Sequence, residues 1–163
     1  MEKFEFFWSN KSPFSNWYKA EFEIEGVQFN CTEQHMMYHK ALLFNDTEIA
    51  EEILNTKSQS KQKALGRKVR NFNQETWVEN CKQIVYEGNK AKFLQNDNLL
   101  KYLLKTKNRT LVEASPVDAI WGIGLAENDP RAKQRHLWRG KNWLGEVLNN
   151  LRDDLIKDGY GNN

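Results

Sequence analysis

The chain has 163 residues, of which 39% are hydrophobic, 12% aromatic and 28% charged. This length and composition are typical of one folded domain, and they exclude a fibre or a disordered tail. The formal charge at pH 7 is only +2, from 24 lysines and arginines against 22 aspartates and glutamates. Charge alone therefore does not indicate a nucleic-acid-binding protein. We expect any phosphate to be bound by a local cluster of basic residues.

The sequence predicts a soluble, cytoplasmic protein with reduced thiols. Its two cysteines, Cys31 and Cys81, lack the CxxC spacing of a zinc site. The start, MEKFEFFWSN, is acidic and aromatic where a secretory signal is basic and then apolar. No run of about 18 apolar residues could span a bilayer, so we expect no membrane partner. The sequence does not indicate an oligomeric state.

The first 29 residues show strand patterns. FEFFW is aromatic and β-like, and AEFEIEGVQF places apolar residues on both sides of Glu25-Gly26. The second pattern predicts a hairpin with a glycine turn. NKSPFSNWY, between the two segments, has the Asn, Ser and Pro content of a loop.

Most of the remaining chain shows helical patterns. Thr32 is expected to cap a helix from Glu33 to about Leu43, and Asp46 to cap a second helix that ends near Leu54. Further helices are predicted from Ser58 or Ser60 to about Asn71, from Asn73 through NQETWVENCKQIVYEGNKAKFLQ, from Leu99 to Leu104 and from Asn142 to Ile156. TLVEA, from Thr110 to Ala114, predicts a short buried strand.

These elements predict a mainly helical α+β fold. We expect a single domain over residues 1–163, with its core at about 4–157, in which a small N-terminal β-hairpin or sheet packs on a helical core.

The first predicted helix places polar groups in an apolar setting. Glu33 and Lys40 are seven residues apart, which puts a carboxylate and an amine within about 20° of each other on one face. Partial burial raises the pKa of a glutamate and lowers that of a lysine, which suits an acid and a nucleophile. A solvated charged face is the alternative interpretation. His35 and His39 are four apart but lack the HExxH pattern and further ligands, so we expect no metal.

Three later segments combine charges, glycines and aromatic residues. SPVDAIWGIG holds Asp118 and Trp121, and it predicts either a tight turn or a loop that lines a ligand, because a dinucleotide motif needs a third glycine. LGRKVRNF places Arg67, Lys68 and Arg70 at a helix end, where cations stabilise the helix dipole or bind phosphate. RAKQRHLWRGKNWLG interleaves bases and aromatics, as in a nucleotide site or an ordinary amphipathic surface.

Four segments follow one another along the chain, namely TEQHMMYHKALLF, ALGRKVRNFNQETWVENCKQIVYEGNKAKF, LVEASPVDAIWGIGL and LWRGKNWLGEVLNNLR. Together they resemble the successive signature blocks of the NADAR family, the YbiA-like N-glycosidases, from about the FSNWY loop to Arg152. The resemblance implies one mainly helical α+β domain that hydrolyses N-glycosidic bonds of ribosylated substrates. Two substrate classes are implied, namely riboflavin-pathway intermediates carrying ribosylamine 5-phosphate, and ADP-ribose attached to guanine in nucleic acid.

The resemblance also implies roles for individual residues. Glu33 matches the family's acidic residue of the first helix, Lys40 its lysine, and Asp118 the acidic residue of the D-x-x-W-G-x-G block. We expect Glu33 to transfer the proton, Asp118 to orient ribose or water, and Lys40 to offer a second route through a Schiff base. The expected substrate-binding residues are Trp77, Trp121, Arg67, Asn16 and Gly122. The candidates for phosphate binding are Arg67, Lys68, Arg70 and Arg139.

Gln34 and His35 stand where many members have His-Tyr, which changes the contacts beside Glu33 and bears on substrate preference. The near-neutral charge favours a small phosphorylated ribosyl substrate, and neither a metal nor a cofactor is needed for such a hydrolysis. One alternative is removal of ADP-ribose from guanine in nucleic acid. Another, of a different class, is a non-catalytic module that binds ADP-ribose or nucleotides.

Overall fold

The computed structural model describes residues 1–162 and divides them into two units, which are described separately. One unit consists of Lys19–Asn96, and the other combines Met1–Tyr18 with the chain from Asp97 onward. The prediction of a single domain stays a prediction. Within residues 1–162, no helix combines the length and the apolar character needed to cross a membrane. In chain order the elements are β1 (Phe4–Phe7), β2 (Phe22–Ile24), β3 (Val27–Phe29), α1 (Thr32–Leu43), α2 (Thr47–Leu54), α3 (Gln59–Gly66), α4 (Gln74–Leu94), α5 (Asp97–Leu104), β4 (Thr110–Glu113) and α6 (Trp143–Lys157).

In the unit Lys19–Asn96, β2 and β3 form the predicted hairpin. Glu25 and Gly26 make its turn with φ angles of 51° and 83°, both in the left-handed region that this kind of hairpin turn requires. Phe22 lies opposite Phe29, and their buried rings stack with centroids 5.5 Å apart. The hairpin therefore places its apolar side chains in the core just before α1 begins.

The N-terminus of α1 is capped by Cys31, so the prediction that Thr32 caps this helix is wrong. Thr32 already belongs to the helix, whereas Cys31 has extended backbone angles and its Sγ accepts a hydrogen bond from the Gln34 amide. The thiol in turn donates to Gln62 Oε1 at 3.3 Å. Burial raises the pKa of Cys31 to about 11, so it caps the helix as a neutral thiol.

The helix α3 ends at Gly66, about five residues before the predicted end near Asn71. The segment after it is held instead by Asp46, which accepts hydrogen bonds from the Arg70 amide at 2.9 Å and from Arg70 Nη2 at 2.7 Å. Asp46 also caps α2, as predicted, by accepting from the Ile49 amide. The Arg70 guanidinium keeps the pKa of Asp46 well below its ordinary value.

The helices α1 and α4 pack against each other in antiparallel order. A Cβ atom on Gly88 would approach His35 Nδ1 to 2.5 Å, so the imidazole fills the space that a side chain there would need. One turn further along α4, the amine of Lys92 is fully buried and acts electrostatically on Cys31, one turn earlier on α1. Burial lowers the pKa of His35 to about 3 and that of Lys92 to about 7.

In the other unit, β1 pairs with β4 in parallel, with Phe4 opposite Thr110 and Phe7 opposite Glu113. The strand predicted at TLVEA is confirmed, and it is the N-terminal FEFF segment that pairs with it. The helix α6 packs on β4. Asn142, just before α6, donates to the Leu111 carbonyl at 3.0 Å and accepts from the Glu113 amide at 3.0 Å.

The segment PRAKQRHLW forms two short 3-10 helices, Pro130–Lys133 and Arg135–Leu137. Its half-buried Trp138 donates from Nε1 to the Ala132 carbonyl at 2.7 Å. The core of this region consists of Val112, Ala114, Ile123, Leu125 and Ala132, with Phe4, Phe6 and Trp138 packed against it.

The buried Lys92 makes stability depend on pH. An unfolded lysine titrates near 10.5 and Lys92 near 7, so between these values the unfolded chain binds one more proton than the folded one. The free energy of unfolding should therefore rise with pH from 7 to about 10 through this group, by at most about 5 kcal/mol. Lys92→Met removes this titration, so the wild type should gain stability relative to the variant over that range.

Denaturant unfolding of both proteins at pH 7 and pH 10 measures the difference. Lys90→Met, which replaces a half-buried lysine of the same helix, serves as the control and should show no such trend. A wild-type minus Lys92→Met difference that stays constant with pH would contradict the assignment.

Candidate active site

In the unit Lys19–Asn96, the amine of Lys40 lies against two aromatic rings. Its Nζ is 4.7 Å from the centroid of the Phe72 ring and 5.7 Å from that of Trp77. Lys40 is in the last turn of α1, Trp77 in the first turn of α4, and Phe72 in the loop between α3 and α4. Sequence analysis singled out Lys40 and Trp77 but missed Phe72, for which the only signal was an aromatic residue among polar loop residues.

Two charged groups act on this amine. Burial lowers the pKa of Lys40, the carboxylate of Glu33 opposes that shift, and the guanidinium of Arg67 adds to it. Glu33 is itself buried, with 4% of its surface exposed, whereas Arg67 is exposed. A buried acid and an exposed cation thus both act electrostatically on an amine whose pKa is lowered. A lysine whose pKa is lowered is more often neutral and is then a nucleophile.

The basic residues after α3, which are candidates for phosphate binding, differ in whether they are already ion-paired. Arg70 binds Asp46 at 2.7 Å and Glu48 at 2.9 Å, so its guanidinium serves to hold the loop. Arg67 and Lys68, directly after α3, have exposed side chains. Arg70 is exposed as well, but its guanidinium is already paired with two carboxylates, so Arg67 and Lys68 are the better candidates for binding an anion.

The candidate residues of the other unit lie in the loop after β4. The Oδ1 atom of Asp118 accepts hydrogen bonds from the amides of Ile120 and Trp121, both at 2.9 Å, and therefore shapes a tight turn. The ring of Trp121 meets that of Trp143 edge to face, with centroids 5.7 Å apart. A Cβ on Gly122 would lie 2.9 Å from the Asp118 carbonyl oxygen, so this position requires glycine.

The turn interpretation of this loop is confirmed, and the contacts of Asp118, Trp121 and Gly122 with substrate stay predictions. Asn16 is buried at the end of the segment Met1–Tyr18, and its role in binding is likewise a prediction. The structure brings Glu33, Lys40, Arg67 and Trp77 together within one unit.

Gln34 and His35 follow Glu33, where many family members have His-Tyr, and both have a structural role. Gln34 is buried, and its Nε2 donates to the carbonyl of Ile53 at 3.0 Å while its Oε1 accepts from the Asn30 amide at 2.8 Å. This side chain joins the hairpin to the end of α2. His35 packs edge to face on Phe29, with ring centroids 5.0 Å apart. Both residues therefore stabilise the position of α1 and with it that of Glu33.

The chain is similar in sequence and in fold to known proteins. The NADAR domain family matches residues 6–156. The chain is 46% identical over 146 residues to N-glycosidase R617 of Acanthamoeba polyphaga mimivirus, and this alignment covers 86% of each chain. It is 27% identical over 146 residues to a riboflavin biosynthesis protein of Vibrio vulnificus, and this alignment covers 90% of the present chain but 36% of that protein. The NMR structure of Escherichia coli YbiA superposes with a TM-score of 0.80 at 26% identity, over 99% of this chain and 90% of that chain.

The fold shared with YbiA and the similarity to relatives named N-glycosidase define the class of protein as an N-glycosidase. The predicted α+β, mainly helical fold and the predicted enzyme class are confirmed. The chain belongs to the NADAR domain family.

The charges around Lys40 predict how its titration responds to substitution. Arg67→Met removes a cation and should raise the pKa of Lys40 by a few tenths of a pH unit, as for partly screened charges. Glu33→Gln removes an anion and should lower the pKa of Lys40 below its value in the wild type. Titration of the lysine 13Cε signals by NMR, with Lys40 assigned by its loss in Lys40→Met, measures both shifts.

Lys68→Met is the control for removing an exposed cation from the same helix end. It should leave the titration of Lys40 unchanged. A pKa of Lys40 that falls in Arg67→Met would show that the two groups are not coupled as described.

Proposed function

We propose that the chain hydrolyses the bond between C1 of ribose and nitrogen in a phosphorylated ribosyl substrate. The foremost candidates are the ribosylaminopyrimidine 5-phosphate intermediates of riboflavin synthesis. The observation that carries the proposal is the position of Lys40, an amine of lowered pKa beside Glu33 and against aromatic rings. The Vibrio vulnificus relative named for riboflavin biosynthesis supports the substrate class.

Breaking this bond needs a proton for the leaving nitrogen, negative charge near the developing oxocarbenium ion and a group that captures C1. In the proposed mechanism Glu33 transfers the proton, and Trp77 holds the base and excludes water. That Asp118 orients ribose or water and that Trp121 holds the base stay predictions from the family resemblance. Direct attack of water on C1 then releases the sugar phosphate and the free base.

Lys40 offers a second route through a covalent intermediate. The ribose ring opens when the bond from C1 to the ring oxygen breaks, the oxygen takes up a proton, and the nitrogen of the base forms an iminium with C1. The neutral amine then attacks C1 and forms a C1–N bond. The bond from C1 to the leaving nitrogen breaks as that nitrogen takes up a proton, which leaves a protonated imine between the sugar and Lys40. Water then adds to C1, and the sugar leaves as the aldehyde while the lysine amine is restored.

The phosphate of the substrate is assigned to Arg67, assisted by Lys68. Both side chains are exposed, and Arg67 lies close enough to Lys40 to act on its pKa. A planar guanidinium also binds two oxygens of a phosphate at once.

A second candidate is the removal of ADP-ribose from guanine in nucleic acid. It is favoured by the basic segment RAKQRHLWRGKNW. Two arginines of this segment, Arg131 and Arg135, are already ion-paired with Asp129 and Glu2. Further exposed cations of this segment are Lys133, Arg139 and Lys141. These three charges would suit a nucleic-acid backbone.

The proposal predicts the products and their dependence on Glu33. The wild type should release ribose 5-phosphate from the ribosylaminopyrimidine phosphate, and Glu33→Gln should lower the rate by about a hundredfold or more, as for loss of a proton-transferring group. Mass spectrometry of both reactions, with an ADP-ribosylated guanine oligonucleotide as the parallel substrate, measures this outcome.

Release of ADP-ribose from the oligonucleotide alone would replace the first candidate with the second. Binding without any turnover would favour a non-catalytic module. A Glu33→Gln variant as fast as the wild type would overturn the role of Glu33.

The covalent route predicts a trapped adduct. Borohydride added during turnover should reduce the imine and leave a sugar phosphate on Lys40, which peptide mass spectrometry locates. Lys40→Arg keeps the positive charge and should show no adduct. An unlabelled wild-type Lys40 under conditions of full turnover would instead support direct hydrolysis.

A further inference from the structure

Phe72 is an exposed aromatic residue in a loop that is held firmly in place. Its ring has 42% of its surface exposed. The preceding Asn71 has a φ of 61°, in the left-handed region that asparagine tolerates better than most residues other than glycine. Arg70, one residue earlier, is bound to Asp46 through both its backbone amide and its guanidinium. The loop is thus held in place while it presents a large apolar group to solvent.

The orientation of the ring is determined by contacts on two sides. The buried ring of Phe44 meets it edge to face, with centroids 5.3 Å apart. The Lys40 amine lies over the ring, 4.7 Å from its centroid. Phe72 therefore borders the candidate active site as a preformed surface.

Any substrate that brings its C1 atom to the Lys40 amine must lie beside this surface. Aromatic rings of proteins stack on flat heterocycles, whereas an aliphatic group or a sugar alone gains less from such a face. Arg67 supplies a cation for the phosphate on the sugar, which leaves the ring for the base.

We propose that Phe72 is a specificity-determining residue that stacks on the planar base of the N-ribosyl substrate and thereby selects N-glycosides of flat heterocycles. This inference rests on the proposed function and names the part of the substrate that the residue recognises. Phe72 contributes to binding of the base and not to the proton or covalent steps.

A binding experiment separates this role from an effect on Lys40. Binding is measured by calorimetry in Glu33→Gln, which slows turnover, with and without Phe72→Leu. The base-bearing ribosylaminopyrimidine phosphate should bind about tenfold more weakly without the ring, as for the loss of one stacked base. Ribose 5-phosphate, which lacks the base, should bind equally well to both. Phe72→Trp should restore the affinity for the base-bearing ligand.

Tyr160→Leu is the matched control, because it removes another aromatic side chain that is 40% exposed. It should leave both affinities unchanged, and thermal unfolding of each variant checks that the fold is kept. An equal loss for both ligands in Phe72→Leu would mean that the ring acts through Lys40 or the fold, and it would overturn the proposal. No loss for either ligand would overturn it as well.

Turnover by the wild type is measured in parallel. If the wild type hydrolyses neither substrate, the proposed function fails, while the calorimetric comparison still decides whether Phe72 recognises the base. If the wild type is active, Phe72→Leu should raise KM for the base-bearing substrate and leave kcat nearly unchanged.

Discussion

The close approach of α1 and α4 depends on Gly88, because any side chain there would collide with the imidazole of His35. With only a hydrogen atom at this position, the two helices can pack tightly in antiparallel order. The same packing brings the Lys40 amine to the ring of Trp77 at one end of the pair. The position of the Lys40 amine is thus determined by the packing of two helices rather than by a loop.

Lys92 of α4 and Lys40 of α1 are buried in different surroundings. Burial lowers the pKa of both Lys92 and Lys40, but Lys92 is fully enclosed whereas Lys40 is half-buried beside Glu33 and Arg67. Enclosing an amine costs stability. The hydrogen bonds that Gln34 makes with the chain after the hairpin and with the end of α2 instead add to the stability of the fold. The start of α1 is therefore firmly anchored, and the amine in its last turn has a lowered pKa.

Elements with local signals were predictable from the sequence. The caps at Asp46 and Asn73 correctly located two helix starts, and of the two serines considered for the third helix Ser58 is the cap, because each of these side chains accepts a hydrogen bond from the first turn. The cap at Cys31 was missed, since a thiol is a weak acceptor that works here because it is buried against Gln62. The role of Phe72 depends on contacts with distant parts of its unit, which no local pattern encodes. The family blocks identified the acid and the amine, but not the ring beside them.

The parallel pairing of β1 with β4 has a consequence for biosynthesis. The strand Phe4–Phe7 is synthesised before its partner Thr110–Glu113, which follows more than a hundred residues later. At ordinary translation speeds the aromatic strand waits on the order of ten seconds for its partner. During that time its edges and rings are open to other chains, and such a segment is a natural client for chaperones that hold nascent polypeptides. Yield in a cell should thus respond to the pace of synthesis over the first two thirds of the chain.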